Sequence, residues 1–100
     1  MSERARIVVV GLGPAGPDLV TTGTRALIDA HELRFLRTTR HPAATLLEGA
    51  PSFDHVYDDA ATMDEVYARI VGALVDAARS RGAVLYAVPG SPVVAEHTVE

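Results

Sequence analysis

The segment VVVGLGPAGPDLVTTG, Val8 to Gly23, runs from a β-branched stretch straight into three closely spaced glycines. A short run of this kind ending on Gly11 predicts a strand, Arg6 to Val10, buried on both faces. Gly11, Gly13 and Gly16 then spell G-x-G-x-x-G. After a strand, that spacing lets backbone approach a pyrophosphate at a helix N-terminus, so a dinucleotide-binding oxidoreductase domain is one reading. Three details oppose it. Pro17 follows the third glycine and removes a donor from the first turn. Gly16-Pro17-Asp18 has the chemistry of a turn that delays the helix. The second strand runs into Leu36-Arg37-Thr38, without the acid that a ribose needs, although an arginine suits a 2′-phosphate.

Beyond the loop, the pattern alternates. Asp18 to Ala30 reads as a helix with Asp18 as its N-cap, weakened by Gly23. Glu32 to Leu36 reads as a second strand, and His41 to Leu47 as a short helix with Pro42 in its first turn. His55 to Tyr57 reads as a weak third strand. From Met63 to Arg81 the apolar residues Met63, Val66, Tyr67, Ile70, Val71, Leu74 and Ala78 recur at helical spacing. Thr62 or Asp64 can cap that helix, and Gly82 ends it. Ala83 to Val88, AVLYAV, is a continuous apolar strand, followed by PGSP and a new helix starting near Pro92. Strands alternating with helices predict an α/β fold, a mostly parallel sheet with helices on both faces. Gly11 to Pro17 and Pro89 to Val94 then lie side by side at the carboxyl ends of their strands, where open α/β sheets bind ligands.

Composition narrows the function classes. The chain has 100 residues, 48% of them hydrophobic, which is enough for the core of one domain. A net charge of -4 with both signs scattered gives no footprint for nucleic acid. Cysteine is absent, which excludes disulfides, thiolate metal sites and a cysteine nucleophile. No apolar run approaches the roughly 18 residues of a membrane span, and no signal-type segment follows the charged N-terminus. The expected location is the cytoplasm, without a membrane partner. The chain stops at VVAEHTVE inside an expected helix with no stop signal, so we expect a segment of a longer protein.

Side-chain chemistry is sparse. His31, His41, His55 and His97 have no partner at metal-ligand spacing, and His97 with Glu100 reads as a solvated helical pair. Asp58-Asp59 and Asp64-Glu65 flank a helix N-terminus, where acids are favourable without a metal. We therefore expect no metal site. Ser91 in PGSPV is not in a nucleophile-elbow context. Tyr57, Tyr67 and Tyr86 read as packing residues.

The segment VVVGLGPAGPDLVTTGTRAL resembles the N-terminal signature of the tetrapyrrole methylase family, the corrin and porphyrin methyltransferases. That signature reads G-x-G-P-G-[DA]-P-[DE]-L-[LI]-T and is met here by Gly11, Gly13, Pro14, Pro17, Asp18, Leu19 and Thr21 or Thr22, with Gly16 displaced by one position or substituting for a neighbouring small residue. The family's second landmark, an apolar strand followed by G-D-P, is met by VLYAVPGSPVVAEHTV, with Ser91 in place of the aspartate. Together with HVYDDAATMDEVYARIV, this form looks like the methylase-like domain that precedes MazG-type nucleoside triphosphate pyrophosphohydrolases. The resemblance implies the N-terminal domain of the methylase fold over residues 1–100, its second domain lying outside the chain. It also implies S-adenosylmethionine as cofactor, in a cleft between the two domains. Pro14, Pro89, Gly90, Ser91 and Val94 would contact the cofactor, and Gly11, Gly13 and Gly16 would form the loop lining the substrate cleft. Methyl transfer from a sulfonium needs alignment in a dry cleft more than acid–base side chains, so no catalytic residue is singled out. The expected partners are the cofactor, a small methyl acceptor and a second copy in a homodimer. This segment alone would be inactive. The alternative from another class is a non-catalytic methylase-like module serving a fused pyrophosphohydrolase.

Overall fold

Alternation along the strands sorts the apolar residues between two cores, one on each face of a four-stranded sheet. The computed structural model describes residues 5–13, 16–90 and 94–99. Its strands are β1 (Ala5–Gly11), β2 (Arg34–Leu36), β3 (Ala83–Val88) and β4 (Val94–Val99), in the spatial order β2-β3-β1-β4. β1 pairs with β3 and β2 with β3 in parallel, while β4 runs antiparallel to β1. The mostly parallel α/β fold predicted from the sequence is the one observed, and β1 is interior.

Val8 and Val10 of β1, Leu36 of β2, and Leu85 and Ala87 of β3 face one side. There they meet Ile28 from helix α1 (Thr22–Ala30), and Ala43 and Leu47 from a 3-10 segment, Pro42–Leu47. Ile7, Val84 and Tyr86 face the other side. Against them pack Phe53 and Val56, from and beside helix α2 (Asp54–Asp59), and the stripe Val66, Ile70, Leu74 and Ala78 of helix α3 (Met63–Arg81). That i, i+4 stripe aligns one helix face with the sheet. Each Val, Leu or Ile so buried contributes about 1.5–3 kcal/mol relative to exposure. Phe53 stacks on Phe35 with ring centroids 5.4 Å apart and meets Tyr86 edge-on at 5.6 Å.

α3 has the boundaries its sequence predicts. The Thr62 Oγ1 accepts from the Glu65 N–H (3.1 Å), and the Glu65 carboxylate reaches back to the Ala61 N–H (2.7 Å), a reciprocal cap. At its far end the Gly82 N–H donates to the Ala78 carbonyl (2.7 Å).

Four expectations need correction. Asp18 does not cap α1. It lies in a separate 3-10 turn, Pro17–Leu19, and the cap is Thr21, whose Oγ1 accepts from the Thr24 N–H (3.1 Å). Gly23 consequently falls in the first helical turn, where N–H groups have no intrahelical partner in any case. β2 is shorter than expected, Arg34–Leu36. His55 to Tyr57 is helical within α2, because Phe53 and Val56, three apart, enter the same core. The expected helix near Pro92 is instead β4, and His97 lies on this strand. Without β4, the outer edge of β1 would carry a row of unpaired backbone groups, and Val94, Thr98 and Val99 are good strand formers. Edge pairing therefore overrides local helix signals. Among the described residues no helix is long and apolar enough to cross a membrane.

Candidate functional site

Because β1, β2 and β3 are parallel, their carboxyl ends bring three loops to one edge of the sheet. The first and second meet directly. Gly11 pairs with Val88, the Leu12 N–H donates to the Val88 carbonyl (2.8 Å), and Gly13 forms an isolated antiparallel bridge with Gly90. Both bridging residues have positive φ, +74° at Gly13 and +121° at Gly90. Glycine alone reaches this backbone region without strain. A Cβ built on either would meet nothing within 4 Å, so the bridge borders open space. Val94 starts β4 opposite Val10, on the other side of β1. Gly11, Gly13, Gly90 and Val94 are thus gathered around the end of β1, next to Pro89. Pro14 and Ser91 lie outside the described residues.

Sequence reasoning missed the third loop, residues 37–41. The Arg37 N–H donates to the Ala87 carbonyl (3.0 Å), continuing the β2–β3 pairing past the strand end. His41 reaches across to the first loop, its Nε2 lying 2.6 Å from the Gly13 carbonyl oxygen. Its Nδ1 accepts from the Ala43 N–H at 3.0 Å, which assigns the ring proton to Nε2. Pro42 lies beneath Gly16, 3.9 Å from where a Cβ on that glycine would stand. The available signal was RTTRHP: polar residues just after a strand whose carboxyl end shares the edge of the glycine loops.

Asp54 anchors this loop from behind. Its Oδ2 accepts from the Thr39 N–H (3.0 Å), the Thr39 hydroxyl (2.9 Å) and the Ser52 hydroxyl (3.2 Å). Hydrogen bonding from the Thr38 side chain, then from the Thr39 backbone, holds the carboxyl well below the usual carboxylate range, against a smaller opposing desolvation.

A large concavity lies elsewhere. A groove of about 650 Å³ runs between α3 and β4, with Tyr67, Val71, Tyr86, Val88 and His97 among its walls. Tyr67 and Val71, expected in the core, are 57% and 56% exposed along it. Tyr86 does pack as predicted, and burial pushes its phenol up. Among the described residues the groove touches the loop edge at Val88 and Arg37 and offers few converging polar groups. The glycine-loop edge, with its aligned backbone groups, is the better candidate for a polar ligand. Among the described residues no three His, Asp or Glu side chains converge on a cation-sized site.

Residues 6–100 match the family of tetrapyrrole (corrin/porphyrin) methylases. The chain belongs to the tetrapyrrole methylase family. It is also similar to an uncharacterized protein, YabN, of Bacillus subtilis strain 168, with 39% identity over 99 residues covering 95% of this chain. The chain spans 20% of that relative's length. No solved structure matches it. Family membership accounts for the delayed helix that separates this loop from a dinucleotide fold. A 3-10 turn follows Gly16, and α1 begins only at Thr22, so its N-terminus does not follow directly on the third glycine.

Proposed function

We propose that this chain is the N-terminal half of an S-adenosylmethionine-dependent methyltransferase-type domain within a longer protein of the MazG-fusion kind. A second domain would supply the other wall of the cleft. The family supports the activity class, and a relative five times as long supports the longer context. The observation that carries the site is the Gly13–Gly90 bridge, two positive-φ glycines with open space where side chains would stand. Such a cradle fits a flat, polar ligand approached by main chain.

Pro14, Pro89, Gly90, Ser91 and Val94 would hold the cofactor, with Gly11, Gly13 and Gly16 shaping the loop on the acceptor side. S-adenosylmethionine, when bound, supplies an electrophilic methyl group on a sulfonium. The task of the chain is then to bind, to orient and to exclude water. Loops set at the ends of parallel strands suit that task, since alignment carries most of such a reaction.

Calorimetry with S-adenosylmethionine tests the reading. Residues 1–100 alone should bind weakly or undetectably, because a half-site offers little buried contact. The full-length protein should bind measurably. Gly90→Val should abolish binding, both by filling the cradle and by straining a φ of +121°, while His97→Ala should change little. Tight binding by residues 1–100 would contradict an interdomain cleft, and binding that survives Gly90→Val would remove the second loop from the site.

A further inference from the structure

His41 connects the packed core to the first glycine loop of the candidate site. Ala43 is fully buried in the first core, and its N–H donates to the His41 Nδ1. The same ring then donates from Nε2 to the Gly13 carbonyl, 28 residues away in sequence. Residue 14 is proline, so the peptide joining it to Gly13 carries no N–H. The Gly13 carbonyl is the single hydrogen-bonding group of that peptide, and His41 engages it. Gly13 has no side chain to restrict its φ of +74°, and this contact and the bridge to Gly90 help hold its orientation.

We propose that His41 is a positioning residue: it sets the Gly13 peptide, and through Gly13 it holds the first and second loops in register for the cofactor. The inference rests on the cofactor reading given above. The ring is fixed in one tautomer by its two partners, and it adds a tie from the core to a loop whose buried side chain, Leu12, lies before Gly13. Acting through Gly13 and not on the reacting atoms, His41 exerts its effect on affinity.

Two amide substitutions separate its two bonds. In His41→Asn the side-chain carbonyl stands where Nδ1 does, so the bond from Ala43 is kept and the reach to Gly13 is lost. In His41→Gln the amide nitrogen stands where Nε2 does, so the Gly13 bond is kept and the Ala43 bond is lost. On the full-length protein, calorimetry with S-adenosylmethionine should show roughly tenfold weaker binding for His41→Asn, the equivalent of one lost hydrogen bond at the upper end of the usual range. Its thermal midpoint should stay near that of the parent. His41→Gln should bind within about threefold of the parent, despite a lower midpoint. Without ligand, amide exchange at Gly13 and Gly90 should accelerate in His41→Asn and not in His41→Gln. Parental affinity in His41→Asn, or exchange rates unchanged from the parent, would overturn the proposal. Should the parent not bind S-adenosylmethionine at all, the cofactor reading fails, and the exchange comparison still decides whether His41 positions the loops.

Discussion

β1 has a neighbour on each side, and the two are held by different forces. β3 and β4 each match β1 over six register positions, so backbone pairing is comparable. Burial is not. Val84, Leu85, Tyr86 and Ala87 of β3 are buried between helices on both faces, while five of the six residues of β4 are exposed. Backbone pairing places β4; side-chain burial stabilises β3. The polar residues Glu96, His97 and Thr98 on β4 also blunt the sheet edge against association with other strands. The difference bears on the site, because both loops of the glycine bridge hang from the well-buried pair β1 and β3.

The largest effect expected is at the centre of that pair. Leu85→Ala should cost about 2–5 kcal/mol in urea unfolding, as large-to-small changes at fully buried sites do. A cost below about 1 kcal/mol would mean that β3 is no better packed than β4. Next comes the cap of the helix that covers β3. Thr62→Ala should cost about 1 kcal/mol, with loss of the hydrogen bond to the Glu65 N–H. A smaller effect belongs to Asp54. Its folded-state pKa is depressed, so its contribution is complete above the unfolded carboxyl range, near about pH 4, and is lost as pH falls below it. The stability gap between the parent and Asp54→Asn should therefore close on acidification, by a modest amount because the carboxylate is open to solvent. A gap that widens in acid would reverse the assignment. Smallest is Val94→Ala on β4. At 51% exposure its unfolding free energy should stay within about 0.5 kcal/mol of the parent. A core-sized loss there would erase the contrast between the two strands.

The parts legible in the sequence are those where local signal and tertiary demand agree. Met63–Arg81 carries a cap, a continuous apolar stripe and a terminating glycine, and Ala83–Val88 is apolar throughout, so both elements have the predicted ends. The adjacency of the glycine loops was legible because both follow apolar strands of one parallel sheet, at their carboxyl ends. Residues 94–99 were misread because a helix signal after PGSP says nothing about an open strand edge nearby. His55–Tyr57 was misread because a short apolar-polar alternation suits one helical turn as well as a strand. His41 was passed over for a different reason. Its function comes from a partner 28 residues away, and no spacing rule within RTTRHP points to Gly13.

The most direct test of the glycine-loop site is hydrogen–deuterium exchange on the full-length protein, with and without saturating S-adenosylmethionine. The account predicts that, within this domain, protection is gained in peptides covering Gly11 to Pro17 and Val88 to Val94, with β2 and α3 unchanged. Protection gained instead along Tyr67 and Val71 of α3 and His97 to Val99 of β4 would place the ligand in the apolar groove and contradict it.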